Sequence, residues 1–303
     1  MNKRSYKLIS EMSPEEAYNK LIEIGEVEEA EQILEELNKT PGDRPSTFGL
    51  GDIFSIKEKP WKYTEHAYGY IVDSKDELLS IVHPATISPE KDLEGTNIDV
   101  SLDRLNVADY PGTGTHNILF DFYAENYLNS STEKIHFNIL LKAFEGQSAA
   151  VINYPIFVGL NVGKSGLSFQ CKTINVQNEE DEKFLGFLKS DEFKNGLQLI
   201  NSIQPAIVPF SKMVQNITES IAKRNRNIGV QDFFIGLDFS STVTGLRLST
   251  GSYIIVQIPK SLQDSWNWAH WKFDKVSGRI INKNDSTIMF HFNYIIIGIK
   301  RFV

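Results

Sequence analysis

Four residues near the end of the chain combine a large aromatic surface with polar ring atoms: Trp266, Trp268, His270 and Trp271. Tryptophan carries a broad apolar face together with an N–H donor, which makes it frequent at binding surfaces. In an extended chain the side chains of Trp266 and Trp268 point to the same face. The alternative is that these rings fill a core or cover the end of a sheet. We predict that the four residues form a binding surface.

The sequence offers little for catalysis or for tight metal binding. Its six histidines form no HxxxH or HxH pair, and its single cysteine excludes a CxxC motif; such pairs are typical of zinc sites. Cys171 lies in a strand pattern, where we expect a buried small hydrophobe rather than a nucleophile. We therefore predict no catalytic residue, no metal site and no cofactor. A hydrolase with a site assembled from distant residues is the alternative.

Four carboxylates are candidate ligands for calcium at one end of a sandwich: Asp99, Asp103, Asp109 and Asp121. Calcium is bound by oxygen ligands, and C2-type domains present aspartates in this way. The spacing of these four residues matches no established calcium motif. Calcium therefore enters only as an optional element of a ligand-binding alternative.

Residues 159–165, with the sequence GLNVGKS, are similar to the phosphate-binding loop of nucleotide hydrolases. That loop has four residues between its first glycine and the Gly-Lys pair, whereas this segment has three. A phosphate loop must also open a helix so that the helix N-terminus faces the anion, and here a strand pattern follows Gly166. We predict a glycine-rich hairpin turn between strands.

Composition limits the classes of protein to consider. The chain has 303 residues and a net charge of −8, which disfavours nucleic acid as a partner because nucleic-acid binding requires a basic surface. The N-terminal residues lack the apolar core of a signal peptide, and no apolar run is long enough for a transmembrane helix. One cysteine fits a reducing compartment. We expect an acidic cytoplasmic protein without a transmembrane segment.

Alternation of apolar and polar residues predicts four strands between Thr115 and Thr173, spaced as in an antiparallel sandwich or barrel. No helix of crossover length separates them, which argues against a parallel sheet. Pro155 is expected at an edge or a bulge. The apolar positions of the first two strands are Ile118, Phe120, Phe122, Ile135, Phe137, Ile139 and Leu141.

Strand patterns also precede and follow this block. Segments 68–72, 78–82 and 97–102 come before it, the second being either a strand or a helix end. After it we predict a strand at 233–239, hairpins at 246–258 and 271–281, and a long closing strand at 288–296. Between the two groups, residues 178–226 have the period of helices, with Leu197 on one stripe and residues 210–221 on another.

The N-terminal segment predicts a helical hairpin from Pro14 to about Lys39. Ser13 can cap the first helix, Pro14 suits its first position, and Glu16 can close a capping box. The strings YNKLI at 18–22 and GEVEEA at 25–30 resemble one unit of a helical-hairpin repeat of the tetratricopeptide or pentatricopeptide kind. That resemblance covers under a tenth of the chain and no second copy follows. Because such arrays need several repeats, we predict a lone hairpin with an acidic, solvated outer face.

These patterns together predict a mainly β (α+β) fold, an antiparallel β-sandwich or barrel-like sheet with a helical insertion and an N-terminal αα-hairpin. The expected domains are 1–42, the hairpin, and 43–303, the sandwich with its insertion at about 178–226. We predict a non-catalytic module for protein interaction or scaffolding, with a protein partner or self-association. The alternative is a sandwich that binds carbohydrate or lipid, with or without calcium.

Overall fold

The computed structural model describes residues 6–38, 59–112, 114–127, 132–149, 151–177, 181, 197–199, 207–224, 226–240, 242, 244–285 and 287–303. Within these residues its α-helices are α1 (Pro14–Ile24), α2 (Val27–Asn38) and α3 (Ile207–Ala222). Its strands are β1 (Glu65–Ile71), β2 (Leu78–Val82), β3 (Asn97–Val107), β4 (Thr115–Tyr127), β5 (Thr132–Phe144), β6 (Gln147–Ser148), β7 (Tyr154–Asn161), β8 (Leu167–Val176), β9 (Leu197–Gln198), β10 (Ile228–Asp238), β11 (Leu246–Arg247), β12 (Gly251–Ile258), β13 (Trp271–Asp274), β14 (Arg279–Asn282) and β15 (Tyr294–Arg301).

These strands form two sheets. The larger has the order β14-β13-β2-β1-β12-β15-β3-β7-β9, with β6 paired to β3, and the smaller has the order β11-β10-β8-β4-β5. Neighbours are antiparallel except for the short pairs β7–β9 and β10–β11. Both sheets combine strands from before and after the helical segment. The predicted mainly β fold, with an N-terminal helix pair and a helical insertion, is confirmed.

The main core lies between the two sheets and follows from the alternation of β4. Phe120 and Phe122 point to the same face, their rings stack at 5.6 Å, and both are fully buried. Phe157 of the large sheet packs on Phe122 at a ring distance of 6.0 Å. Pro155 lies at a register shift between β3 and β7, as expected for a residue that cannot donate to the ladder.

Helix α3 covers the outer face of the small sheet. The Asn138 side-chain amide of β5 and the Thr218 hydroxyl of α3 lie 2.8 Å apart and are buried. This layer explains why Leu119, on the face of β4 opposite Phe120, is also fully buried. The amphipathic pattern of residues 210–221 therefore predicted a helix correctly. None of the helices in the described part of the chain is long and apolar enough to cross a bilayer.

The N-terminal hairpin forms as its capping signals predict. Ser13 Oγ accepts from Glu16 N at 3.2 Å, Ser13 N donates to the Glu16 carboxylate at 2.8 Å, and Gly25 ends α1 with a φ of 84°. Ala17 and Leu21 of α1 are fully buried and belong to the main core. The division into domains at residue 42 remains a prediction.

Three sequence predictions are wrong in detail. Segments 246–248 and 253–258 do not form a hairpin, because β11 pairs in parallel with β10 of the small sheet and β12 lies in the large sheet. The closing strand runs from Tyr294 to Arg301 and does not begin at residue 288. Residues 288–293 form no strand, because the rings of Phe290 and Phe292 pack on a hydrophobic core. Leu197 lies in a short strand beside Phe157 and not on a helical stripe, because pairing with β7 overrides the local helical pattern.

Two other expectations concern turns and the insertion. Residues 163–166 form a tight glycine-rich turn, closed by a bridge between Gly163 and Gly166. The prediction of a hairpin here is wrong, because the flanking strands β7 and β8 belong to different sheets and the turn connects the two layers. The helices predicted to begin at Asn178 and at Ser190 or Asp191, and most of the linker predicted at 40–62, lie outside the described residues.

Candidate functional site

The predicted tryptophans lie together at one end of the large sheet, where the chain between β12 and β13 folds back over β1. Trp268 begins a single 3-10 turn that is capped by Asn267, whose Oδ1 accepts from Ala269 N at 2.9 Å. The indole of Trp268 is buried, and its Nε1 donates to Tyr68 O at 2.8 Å. This bond satisfies an indole donor that would otherwise be costly to bury.

A glycine in β1 makes the approach of this indole feasible. A Cβ atom at Gly69 would lie 2.8 Å from Trp268 Cε2 and 2.7 Å from Ile254 Cγ2. Real Cβ atoms do not approach other atoms so closely, so the strand needs a residue without a side chain here. A glycine inside a strand pattern often marks such a close approach. The Tyr-Gly-Tyr sequence at 68–70 is the signal that sequence analysis passed over.

The tryptophans join a second hydrophobic core on the face of the large sheet that points away from the small sheet. Trp266 meets Trp268 edge-on at 5.3 Å, and its ring also meets Phe292 at 5.2 Å. Trp271 meets Phe290 edge-on at 4.8 Å. Residues 288–293 thus supply the rings that support the tryptophans. Trp266 and Trp271 remain partly exposed, whereas Trp61 and Trp268 are buried.

Beside this core the surface opens into a cavity of about 600 Å³, a volume typical of ligand sites. We call this cavity the tryptophan cleft. It is bordered by residues 66–68 of β1, by residues from the segments 80–86 and 258–269, by Trp271 and Lys272 of β13, and by Lys283, which follows β14. Trp266, Trp268 and Trp271 all line it. His270, the fourth predicted residue, ends the 3-10 turn, is exposed, and lies outside the lining.

The cleft carries positive charge on an acidic protein. Lys272 and Lys283 are its charged lining residues, and none of the described residues that line it is Asp or Glu. Lys272 Nζ donates to Ser80 Oγ at 2.6 Å, which holds this cation at the wall formed by β2. His83 also lines the cleft; burial lowers its pKa, and its Nδ1 accepts from Ala85 N, so this ring is neutral at pH 7. An anionic group is therefore the charge that this cleft accommodates best.

The cleft exists because β2 leaves β1 early. Strand β1 pairs with β12 over its full length, Glu65 to Ile71, but pairs with β2 only at Tyr70 and Ile71. After Val82 the chain turns away through the 3-10 segment Pro84–Thr86. In the part of the chain that the structure describes, the side of β1 next to residues 65–69 is thus bordered by the Trp268 indole and by the cleft instead of by a strand.

The carboxylates considered for calcium are not gathered. Asp99 accepts from Gly159 N at 3.0 Å, and Asp103 accepts from Ser101 and Ser252 hydroxyls. Asp121 lies beside His136 on the face of the small sheet that α3 covers. Among the described residues there is no group of three or more His, Cys, Asp or Glu side chains placed to hold a metal ion.

Asp109 belongs to a different charged cluster, where the helical hairpin meets the loop that follows β3. Lys59 Nζ bridges the carboxylates of Glu29 at 2.7 Å and Glu26 at 3.2 Å. Glu26 also accepts from Gly112 N at 2.6 Å. Burial raises the pKa of Asp109 to about 7, and a nearby Glu145 adds to the rise. These contacts join the hairpin to the body of the protein.

One cavity brings together the residue types that a hydrolase with a dispersed site would need, but not within hydrogen-bond reach of one another. His136 Nδ1 lies 3.6 Å from Asp121 Oδ1, next to a smaller cavity of about 290 Å³ that Ser168 also lines. Ser168 lies on β8 and His136 on β5, with β4 between them. Strands two places apart are separated by about 10 Å, which is beyond hydrogen-bond reach. Cys171 is fully buried, and this burial raises the pKa of its thiol well above the usual range.

Comparisons of this chain with protein-family models, with curated proteins and with solved structures found no match.

Proposed function

We propose that this protein is a non-catalytic interaction module that binds a segment of a partner protein in the tryptophan cleft. The observation that supports this most is the cleft itself, in which three predicted tryptophans line one cavity of about 600 Å³ beside two lysines. Binding hot spots are enriched in tryptophan and occur in pockets that can be desolvated. The described residues thus provide aromatic anchors and charge selectivity in one place.

The chemistry of the cleft favours binding over catalysis. General acid–base catalysis requires a side chain that exchanges a proton near neutral pH and reaches the substrate. The Nδ1 of His83 is engaged by Ala85 N, and Lys272 donates to Ser80 Oγ. The described lining residues include no carboxylate that could activate a hydroxyl nucleophile. The cleft is therefore better suited to holding a ligand than to transforming it.

The carbohydrate alternative is supported by the partly exposed rings of Trp266 and Trp271, on which a sugar ring can stack. A neutral sugar presents many hydroxyl donors, which need acceptors. The described lining residues offer amide side chains at Gln263 and Asn267 and no carboxylate. Protein segments provide their own acceptors in backbone carbonyls and supply anionic side chains. We therefore place a protein partner first.

The compartment and the absence of nucleic acid belong to the same proposal. The single cysteine supports a reducing compartment such as the cytoplasm. The net charge of −8 opposes binding to a polyanion over a large surface. Two lysines in a confined cleft suit one or two carboxylates and not an extended phosphate backbone.

The proposal can be tested by selecting from a displayed library of random octapeptides against immobilised wild-type protein. Selected peptides are then measured by fluorescence anisotropy on Trp266→Ala, Trp271→Ala and the control Phe234→Ala. Phe234 is 49% exposed on the small sheet, so the control removes an exposed ring away from the cleft. We expect both tryptophan variants to lose binding and the control to keep it. A glycan array run on the same variants tests the alternative.

Selection that yields no peptide, or peptides that bind all three variants equally, would contradict the proposal. Cleft-dependent binding of a neutral glycan in place of peptides would favour the carbohydrate alternative.

A further inference from the structure

The main-chain groups of β1 that face the tryptophan cleft can be identified from two hydrogen bonds. Tyr68 O accepts from Trp268 Nε1, and Val72 N donates to Ser80 O at 2.9 Å. Both bonds lie on the β2 side of the strand. Because alternate residues of a strand direct their N–H and C=O groups to the same edge, His66 directs its own groups to that edge as well.

The pairing of β1 with β12 independently identifies the same main-chain groups. His66 faces Gln257 in the register between β1 and β12. Gln257 N donates away from β1, to Asn293 O at 2.9 Å. In an antiparallel pair two facing residues either exchange both hydrogen bonds or direct all their groups outward. His66 and Gln257 are thus an outward-facing pair, so the N–H and C=O of His66 point towards the cleft.

The side chains of these residues leave the edge accessible. The His66 ring packs on Phe233 at 5.1 Å, and Tyr68 Oη donates to Phe234 O at 3.0 Å. Both side chains therefore lie between the two sheets. The strand meets the cleft with its main chain and with the methyl group of Ala67, while the Trp268 indole covers the edge at Tyr68 O.

An exposed strand edge of this kind is a template for an extended peptide, and its length limits the occupant. Residues 65–69 lack a neighbouring strand on the cleft side among the described residues, and the Trp268 indole already occupies Tyr68 O. The main-chain groups that remain are the N–H and C=O of His66 and the N–H of Tyr68. They span about two residues, or roughly 7 Å of strand, so the added segment is short and its side chains must supply the rest of the affinity.

We infer that the tryptophan cleft binds a short, extended, acidic segment of a partner protein, which adds to the β1 edge opposite His66 and places a carboxylate near Lys272 and Lys283. This inference rests on the function proposed above and specifies its ligand. In β-strand addition the main-chain hydrogen bonds provide affinity, and alternate side chains provide specificity. Here one face of the added segment lies against the tryptophans, and its negative charge is complementary to the two lysines.

The test uses synthetic hexapeptides with alternating apolar and charged residues on the intact protein. An acidic set, a neutral set and a basic set of matched apolar residues are compared by fluorescence anisotropy at several salt concentrations. We expect the acidic set to bind tightest and to weaken with salt. Lys272→Gln and Lys283→Gln should each weaken it about two- to fivefold, the range of a partly exposed ion pair, and Lys283→Arg should bind like the wild type.

Main-chain hydrogen bonding between the peptide and β1 can be tested separately from charge. The best acidic peptide is resynthesised with a single N-methyl group at each position in turn. We expect an affinity loss of about tenfold or more, from a lost hydrogen bond and a steric clash, at the one position whose N–H donates to His66 O, because Trp268 already occupies Tyr68 O. Hydrogen exchange followed by NMR should show new protection of the His66 amide in the complex, while the Ala67 amide, which faces β12, stays unchanged.

The outcomes separate this inference from the proposed function. Cleft-dependent binding that tolerates N-methylation everywhere, or that prefers basic peptides, overturns the inference and leaves the interaction module standing. Acidic oligosaccharides that bind where no peptide does overturn both. A complete absence of peptide binding also refutes both, whereas N-methyl sensitivity at a single position together with the lysine dependence establishes the inference.

Discussion

Gly69→Ala is the substitution that most directly tests how the cleft is built. The residue has no left-handed φ, so alanine fits the backbone and the cost is purely steric. The new methyl group would lie 2.7 Å from Ile254 Cγ2 and 2.8 Å from both Ile81 Cγ2 and Trp268 Cε2. All three neighbours are buried, so none can move freely into solvent.

The expected loss of stability can be worked out from these contacts. Overpacking a well-packed core typically costs about 1–3 kcal/mol. Displacing the indole from Tyr68 O adds about 1 kcal/mol for the lost hydrogen bond. Replacing glycine lowers the entropy of the unfolded chain, which returns about 0.4–1 kcal/mol. The free energy of unfolding should therefore fall by about 1–3.6 kcal/mol.

Gly236→Ala is the matched control. Gly236 also lies inside a strand without a left-handed φ, but a methyl group there would meet only Phe234 Cε1, at an ordinary 3.6 Å. Its unfolding free energy should stay the same or rise by about 0.5 kcal/mol. Urea unfolding of both variants gives the comparison, and near-ultraviolet circular dichroism of the folded proteins reports the environment of the indoles. If Gly69→Ala proves as stable as the control and keeps the wild-type spectrum, the packing of Trp268 on β1 is refuted.

Three further substitutions test buried charge and capping. Burial lowers the pKa of His66 to about 4, so the folded state is most stable with respect to this residue above the unfolded-state pKa near 6.5 and loses stability as pH falls towards 4. His66→Phe lacks this titration. Between pH 6.5 and 4 its free energy of unfolding, measured with urea, should therefore fall by about 2–3 kcal/mol less than that of the wild type. Burial raises the pKa of Asp109 to about 7, so ionisation of this carboxyl destabilises the fold as pH rises from about 4 to 7. The free energy of unfolding of Asp109→Asn should exceed that of the wild type by about 1–3 kcal/mol at pH 8, after allowance for solvent screening. An equal difference at pH 4 would contradict this. Ser13→Ala removes the cap of α1 and should cost about 1 kcal/mol, whereas Ser13→Asp, which can also cap, should cost little.

The local elements could be predicted from the sequence because their causes are local. The Ser13–Glu16 capping box and the left-handed Gly25 define α1 with residues that lie within a few positions of it. Two-residue alternation identified β4 because a long strand between two layers has to bury Phe120 and Phe122 on one side. Where both faces are buried, as at Leu119, alternation fades and only the length of the apolar run remains as a signal.

The partners of the strands could not be predicted in the same way. Residues 246–258 have the composition of a hairpin, yet their two strands belong to different sheets, because β10 and β15 compete for them from a distance. The tryptophans could be proposed as a site from their type and spacing. The lysines and the β1 edge could not, since Lys272 faces the cleft only because β13 pairs with β2.

Trp268 explains why the cleft and the strand edge occur at the same place. Its indole donates to Tyr68 O and so satisfies the strand where β2 has already departed. The indole supplies one hydrogen-bond donor and no further main-chain groups, so it cannot extend the ladder beyond Tyr68. The next residue of β1 whose main-chain groups face this side, His66, therefore borders the cleft. A long apolar strand edge would invite uncontrolled aggregation. An edge reduced to the free main-chain groups of His66 and Tyr68, bordered by lysines and tryptophans, instead selects a short partner segment. The short length of this edge therefore contributes to specificity.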